Sequence, residues 1–217
     1  MTDRERDVFS SLERSGIIAV LIIEKVEHAV PVAEALLAGG VDAMELTLRT
    51  PAAIESLKEI RAKVPQMMAG IGTVLTTDQV HQVVDSGGAF GVAPGMNPRV
   101  VEAAIAAGLP FAPGICTPSD IERALEYDRR LLKFFPAEPC GGLKYLEAIA
   151  APYQHLGVKY IPLGGVNGAN CGSWFASKHV GCIGGSWLAS KVMIAAEDWV
   201  GITAAARRVM EIRRPAK

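Results

Sequence analysis

One lysine stands inside a segment that has the composition of a buried strand. Lys133 lies within the run LLKFF at residues 131–135, with apolar neighbours on both sides. Moving a charged, unpaired amine out of water is costly, so burial favours its neutral form. A neutral amine can attack a carbonyl carbon and form a Schiff base. The position therefore predicts a nucleophilic lysine.

A second strand-like segment carries an acid and a base. In the run AMELTLR at residues 43–49, Glu45, Thr47 and Arg49 alternate with apolar residues and share one face. A carboxylate can shuttle protons, and a guanidinium can hold a substrate carboxylate through two hydrogen bonds. With Lys133, this set predicts Schiff-base chemistry on a 2-keto acid. The alternative is a buried Lys133–Glu45 ion pair that only neutralises itself.

The elements that must position these residues alternate along the whole chain. Eight short apolar runs, beginning near residues 16, 43, 67, 89, 109, 131, 158 and 180, are separated by amphipathic helical segments. Continuous rather than alternating hydrophobicity indicates parallel strands covered on both faces. The pattern predicts an α/β fold, a (β/α)8 TIM barrel forming one domain over residues 1–217, with an extra N-terminal helix over residues 3–14.

An open, doubly wound sheet is the alternative fold. Its dinucleotide fingerprint, Gly-x-Gly-x-x-Gly, follows the first strand. Here the first strand is followed by EKVE, and the nearest match, GIGTVL at residues 70–75, falls in the third unit and lacks the last glycine. The motif therefore favours the closed barrel.

Several further residues lie at strand ends, where barrel enzymes place their active sites. Thr73 ends the third run two residues after Ile71 and therefore shares its face, which we expect to point inward. The Thr73 hydroxyl could then bind a carboxylate. Phe135 shares the face of Lys133 and is predicted to wall the pocket, with simple core packing as the alternative. Pro94 is most simply a turn residue. Cys116 has no adjacent base in the sequence and is interpreted as unreactive.

Two glycine-rich segments follow the last two strands. They are LGGVNG at residues 163–168 and GGS at residues 184–186. The loops after strands seven and eight of such barrels frequently bind phosphate, because backbone N–H groups can approach it closely. A phosphorylated substrate is the prediction, and tight strand-to-helix turns are the alternative.

Composition excludes several classes of protein. With 22 Lys and Arg against 23 Asp and Glu, the chain lacks the basic footprint of a nucleic-acid binder. The N-terminus does not resemble a signal peptide, and no apolar run reaches the length of a membrane helix, which predicts a cytoplasmic protein. The four cysteines and four histidines lack metal-ligand spacing, so we expect no metal and no cofactor. A metal site made of carboxylate ligands is the alternative, because spacing does not reveal it.

Taken together, these segments resemble the class I 2-keto-3-deoxy-6-phosphogluconate (KDPG) aldolases, which also act as 4-hydroxy-2-oxoglutarate (KHG) aldolases. The resemblance extends from about residue 10 to about residue 190 and rests on EHAVPVAEALLAGGVDAMELTLRT, AGIGTVL, LPFAPGICTPSD, LKFFPAE, PLGGV and CIGGSWL. It implies a homotrimeric barrel that works without a metal. The implied partners are a small 2-keto acid and a phosphorylated aldehyde.

The resemblance also implies roles for individual residues. Lys133 matches the Schiff-base lysine, and Glu45 matches the general acid and base. The remaining matches are Arg49 and Thr73 for the pyruvate carboxylate, Phe135 and Pro94 for the pocket walls, and Gly164, Gly165, Gly185 and Ser186 for the phosphate.

One substrate-binding position departs from the family pattern. Leu163 stands where the gluconate-type enzymes have a threonine before Gly-Gly. An apolar side chain discriminates weakly between substrate hydroxyls, so we expect reduced discrimination between C4 epimers. A galactonate-type aldolase, another phosphate-binding barrel enzyme such as an isomerase or metal-dependent aldolase, and a non-catalytic phosphometabolite-binding barrel are the alternatives.

Overall fold

The computed structural model describes residues 2–213, and its strands fall within the eight predicted runs. They are β1 (Ile17–Leu21), β2 (Ala43–Thr47), β3 (Met68–Gly72), β4 (Gly91–Val92), β5 (Phe111–Ala112), β6 (Gly114–Ile115), β7 (Leu131–Phe134), β8 (Lys159–Pro162) and β9 (Ile183–Gly185). Two of them, β5 and β6, belong to one run that is interrupted at Pro113, whose ring nitrogen carries no hydrogen to donate.

The strands close into a ring of parallel neighbours. One sheet has the order β5-β4-β3-β2-β1-β9 and the other the order β6-β7-β8. Pro113 links the two sheets at one side, and a parallel bridge between Tyr160 and Val180 links them at the other. The predicted barrel is therefore confirmed, and the open doubly wound sheet is wrong.

Helices connect successive strands and surround them. They are α1 (Asp3–Ser15), α2 (Ala29–Ala38), α3 (Ala53–Lys63), α4 (Thr77–Asp85), α5 (Pro98–Ala106), α6 (Pro118–Glu126), α7 (Gly142–Ala150), α8 (Cys171–Ala176), α9 (Lys191–Ala195) and α10 (Trp199–Ile212). Short 3₁₀ helices cover Val26–His28 and Ala151–Leu156. Within residues 2–213, none of these helices is long and apolar enough to cross a membrane.

The extra N-terminal helix is confirmed as α1. It covers one end of the barrel. The Thr2 hydroxyl caps α1 by accepting from the Glu5 N–H at 3.2 Å. Phe9 and Leu12 pack into the core inside the barrel rather than into the layer under the other helices. The Glu5 carboxylate pairs with the Arg129 guanidinium, and both side chains are buried. This end of the barrel is thus sealed, which leaves the opposite end for a binding site.

Alternate side chains on each strand enter two separate cores. Met44 and Leu46 of β2 belong to the outer core between strands and helices. Ala43 belongs to the inner core, so Glu45, two residues further on, also faces inward. The inward direction expected for Ile71 is wrong, because Ile71 lies in the outer core.

Candidate active site

A cavity of about 210 Å³ opens at the carboxyl ends of the strands, and every predicted site residue lines it. These residues are Glu45, Arg49, Thr73, Pro94, Lys133, Phe135, Leu163, Gly164, Gly165, Gly185 and Ser186. Val20, Ile22, Thr47, Val166 and Gly184 complete the lining. The fold therefore brings together residues that are spread over 142 sequence positions, from 45 to 186.

The centre of the cavity is a buried amine beside a buried carboxylate. Lys133 Nζ lies 3.1 Å from Glu45 Oε1, and the side chains are 6% and 1% exposed. The Lys133 amine also lies 5.7 Å from the centre of the Phe135 ring. An ion pair that served only for stability would gain nothing from lining an open cavity, whereas a nucleophile and its proton shuttle require access to substrate.

Two glycines on β3 leave space for neighbouring side chains, one of which is Glu45 of this pair. A Cβ atom on Gly72 would lie 1.6 Å from Glu45 Oε1, and one on Gly70 would lie 2.6 Å from the Phe90 ring. In the sequence these glycines belong to a poor dinucleotide motif and to the AGIGTVL segment of the family resemblance. Their spacing of two places both on the inward face of β3. The parity expected from the sequence turned Ile71 inward and these glycines outward, so it could not identify them.

The Gly72→Ala variant tests this steric role. Because the added methyl group must displace the Glu45 carboxylate, we expect kcat to fall by about 10-fold or more, as a 1 Å misplacement can cost about 100-fold. Pyruvate release measured by coupled lactate dehydrogenase is the readout. Gly95→Ala is the matched control, since a Cβ atom there meets nothing within 4 Å. Equal activities for the two variants would contradict the steric role.

Arg49 is held at the cavity mouth by threonines on either side of it. The Thr47 hydroxyl donates to the Leu21 carbonyl at 3.1 Å, and the Thr50 hydroxyl donates to the Ile23 carbonyl at 2.5 Å. Both bonds tie this loop to the end of β1. Within residues 2–213 the Arg49 guanidinium forms no ion pair, so it is available to a carboxylate ligand.

Thr73 reaches the cavity by a different route from the one predicted. Its backbone φ angle is 61°, in the left-handed region that favours glycine. This conformation breaks the alternation of β3, so Thr73 lines the cavity although Ile71 faces the outer core. A strained residue of this kind persists when surrounding structure holds it, and such residues cluster at functional sites.

The first glycine loop presents unpaired backbone donors to the cavity. Gly164 and Gly165 both have φ angles of 91°, a conformation that other residues adopt rarely. Among the described residues 2–213, neither N–H donates to a protein acceptor. Amide donors of this kind need a partner from solvent or ligand, and an anion would supply one.

Glu138, which no sequence pattern singled out, supports this loop through hydrogen bonds. Its backbone N–H donates to the Gly164 carbonyl at 2.9 Å. Its carboxylate accepts from Trp174 Nε1 at 3.0 Å and from Asn170 Nδ2 at 3.2 Å. The second glycine loop is equally constrained, because a Cβ atom on Gly185 would lie 1.6 Å from the Trp187 ring. Both loops therefore depend on glycine for their close packing.

The charges around the cavity favour an anionic ligand. Lys133 and Arg49 outnumber the single carboxylate of Glu45, which leaves an excess of one positive charge. Within the described range, 2–213, His, Cys, Asp and Glu side chains form no group of three or more that could hold a metal ion.

The family model described as "Aldolase: KDPG and KHG aldolase" matches residues 8–205. A 2-dehydro-3-deoxy-phosphogluconate aldolase of Treponema pallidum is 42% identical over 205 residues, which cover 94% of this chain and 97% of that protein. A KHG/KDPG aldolase of Escherichia coli K12 is 41% identical over 202 residues, which cover 93% of this chain and 94% of that protein.

A solved structure supports the same relationship. KDPG aldolase from Legionella pneumophila, with pyruvate captured at low pH as a covalent carbinolamine intermediate, superimposes with a TM-score of 0.89 at 35% identity. The match covers 96% of this chain and 98% of the Legionella chain. The likeness therefore extends over nearly the whole of both barrels.

Proposed function

The chain belongs to the KDPG and KHG aldolase family and is an aldolase, and on this premise we propose its substrates and the roles of its residues. The proposed reactions are reversible cleavage of KDPG to pyruvate and glyceraldehyde 3-phosphate, and of 4-hydroxy-2-oxoglutarate to pyruvate and glyoxylate. The observation that carries the proposal is the buried Lys133–Glu45 pair, with 3.1 Å between amine and carboxylate, at the floor of an open cavity.

The reaction begins with attack of the Lys133 amine on C2 of the 2-keto acid. When Glu45 takes the ammonium proton, the neutral amine adds to the carbonyl carbon and forms a carbinolamine. Loss of water, with a proton supplied by Glu45, gives a protonated imine. The imine cation then draws electrons from the neighbouring C3–C4 bond.

Cleavage follows when Glu45, through a water molecule, removes the proton of the C4 hydroxyl. The C3–C4 bond breaks and the aldehyde leaves. The electron pair of the broken bond stays with C3 and forms the enamine of pyruvate on Lys133. Return of the proton to C3 restores the imine, and water releases pyruvate and the free amine. One carboxylate therefore serves as base and acid in successive steps.

The remaining residues bind and orient the substrate. Arg49, with Thr73, holds the carboxylate of the keto acid, and Phe135 and Pro94 form walls on either side. Gly164, Gly165, Gly185 and Ser186 bind the phosphate. Since the phosphate is remote from the reacting carbons, its binding energy can be used to hold C2 against Lys133.

A coupled assay tests the proposed reactions. Addition of KDPG or 4-hydroxy-2-oxoglutarate to the purified chain, with lactate dehydrogenase and NADH, should consume NADH as pyruvate forms. Activity should survive EDTA, since the proposed chemistry uses an amine and no cofactor. No pyruvate from either substrate, or complete inactivation by EDTA, would contradict the proposal.

Leu163 is the position at which selectivity for the C4 epimer is expected to depart from the gluconate-type enzymes. Its side chain is buried, lines the cavity and packs against Gly184, where a Cβ atom would lie 2.6 Å from Leu163 Cγ. It offers no hydrogen-bonding group to a substrate hydroxyl. The proposal therefore includes a relaxed preference, or a galactonate-type preference, at C4.

The Leu163→Thr variant tests this role. In the natural chain we expect kcat/KM for the gluconate epimer to be similar to, or lower than, kcat/KM for the galactonate epimer. A new hydroxyl contact should raise the ratio of the gluconate value to the galactonate value by about 10-fold, the scale of one hydrogen bond. The measurement is kcat/KM for each epimer, with Val166→Thr as a control at another apolar position of the lining. A large preference that Leu163→Thr leaves unchanged would contradict the role.

The proposal also extends to the organisation of the protein. It is a single-domain enzyme over residues 1–217, acts as a homotrimer, and works in the cytoplasm, where phosphorylated sugar acids are retained by their charge. Strongly exposed apolar side chains, including Val192 at 77% and Val200 at 83%, are suited to contacts between subunits. Light scattering should give three times the chain mass of 23.0 kDa, and the mass of a monomer would contradict the trimer.

A further inference from the structure

Two cysteines that are distant in sequence meet in the loops that follow β6 and β7. Cys116, after β6, and Cys140, after β7, place their sulfur atoms 2.9 Å apart, although 24 positions separate them. Both are half-buried thiols, whereas Cys171 and Cys182 are buried. The interpretation of Cys116 as unreactive rested on its lack of a partner in the sequence, and the fold supplies one.

Backbone contacts hold both cysteines in place. The Cys116 N–H donates to Asp120 Oδ2 at 3.0 Å, within the capping box of α6. The Cys140 N–H donates to the Pro136 carbonyl at 3.1 Å. A disulfide bond is about 2.05 Å long, so the sulfur atoms need to approach by only roughly 0.9 Å. Such a movement is within the reach of side-chain rotation.

We propose that Cys116 and Cys140 form a reversible disulfide on exposure to a low-molecular-weight disulfide such as oxidised glutathione. In the first step one cysteine thiolate attacks a glutathione sulfur, which gives a mixed disulfide and releases one reduced glutathione. The second cysteine then attacks the protein sulfur of that mixed disulfide and releases the other glutathione. Two protein thiols are oxidised, one glutathione disulfide is reduced, and the two thiol protons pass to the two glutathione thiolates.

Both cysteines are free thiols in the structure. The hydrogen bond to Cys140, together with burial, raises the pKa of Cys116 to about 11. Near neutral pH Cys116 therefore stays protonated, and its reaction accelerates as the pH rises toward that value. The Asp120 carboxylate on α6 also opposes a negative charge on Cys116. The Tyr145 phenol on α7 faces the same pair, and burial together with the neighbouring Cys116 raises the pKa of Tyr145.

The disulfide would tether the segment that supports the first glycine loop, which contains Gly164 and Gly165. Residues 136–142 carry Cys140 and also Glu138, which donates to the Gly164 carbonyl. Cys140 packs against the outer core, on the side of β7 away from the Lys133 amine. The disulfide would thus join this segment to the start of α6 without blocking the amine.

The test follows thiols and mass rather than catalysis, so its result is independent of the proposed aldolase reactions. The reduced full chain is incubated with excess oxidised glutathione at about pH 8, where a larger fraction of the thiols is deprotonated than at neutral pH. We expect the intact mass to fall by about 2 Da, the mass of two hydrogens, and denatured protein to titrate two thiols instead of four. Peptide mapping should link Cys116 to Cys140, and dithiothreitol should restore both thiols.

Matched variants identify the residues involved. Cys116→Ser and Cys140→Ser should each abolish the loss of 2 Da, whereas Cys171→Ser should retain it. Circular dichroism shows whether each serine variant folds. If one does not, the corresponding alanine variant, Cys116→Ala or Cys140→Ala, is used in its place. A stable glutathione adduct without a cross-link, a cross-link between other cysteines, or four thiols after oxidation would overturn the proposal.

Discussion

Replacing Lys133 by methionine is expected to lower kcat by at least about 10⁴-fold, because no amine remains to form the imine on which bond cleavage depends. Methionine keeps the length and apolar character of the side chain. It leaves the Glu45 carboxylate buried without its partner, so the free energy of unfolding should also fall, by about 3–5 kcal/mol. Pyruvate formation and thermal unfolding measure the two effects.

A second substitution separates the nucleophile from the ion pair. Lys133→Arg keeps a positive charge beside Glu45, but a guanidinium stays protonated and cannot form the imine. We therefore expect partial recovery of stability with no recovery of activity. Lys159→Met is the matched control, since Lys159 lies at the start of β8, and its amine donates to the Lys178 carbonyl away from the cavity. Substantial activity in Lys133→Arg would favour a purely structural pair.

The Glu45→Gln variant is expected to lower kcat by about 10²–10⁴-fold, the usual contribution of a general acid and base. Glutamine preserves the shape of the side chain and can still accept from Lys133, but it cannot carry the proton. The most specific readout is exchange of the pyruvate methyl hydrogens with deuterium from solvent, followed by proton NMR. Exchange reports enamine formation without any aldehyde.

We expect the natural chain to exchange these hydrogens and Glu45→Gln to lose the exchange almost completely. Glu55→Gln, on the exposed surface of α3, serves as the control and should exchange at the natural rate. Exchange by Glu45→Gln at the rate of the control would show that another group carries the proton.

The sequence predicted the barrel and the centre of the site for the same physical reason. A parallel barrel requires strands that are apolar on both faces, so a charge inside such a run is conspicuous. Lys133 and Glu45 stand out in this way, and the parity of β2 correctly put Glu45 opposite to Met44. The glycine loops were identifiable because they follow the last two strands.

Other features depend on tertiary structure that no local pattern contains. The left-handed φ angle of Thr73 cannot be read from its residue type, so parity gave the wrong direction for Ile71. The need for Gly72 arises from the carboxylate of another strand. The meeting of Cys116 with Cys140 results from the adjacency of two loops. Each is a contact between elements rather than a property of one element.

Borohydride trapping with pyruvate tests the central claim most directly. Reduction of the imine should add about 72 Da, the mass of a reduced pyruvyl group, to one lysine. Peptide mapping should place that mass on Lys133 and leave Lys159 unmodified, with activity lost in proportion to labelling. Full activity with an unmodified Lys133, or labelling at a different lysine, would contradict the account.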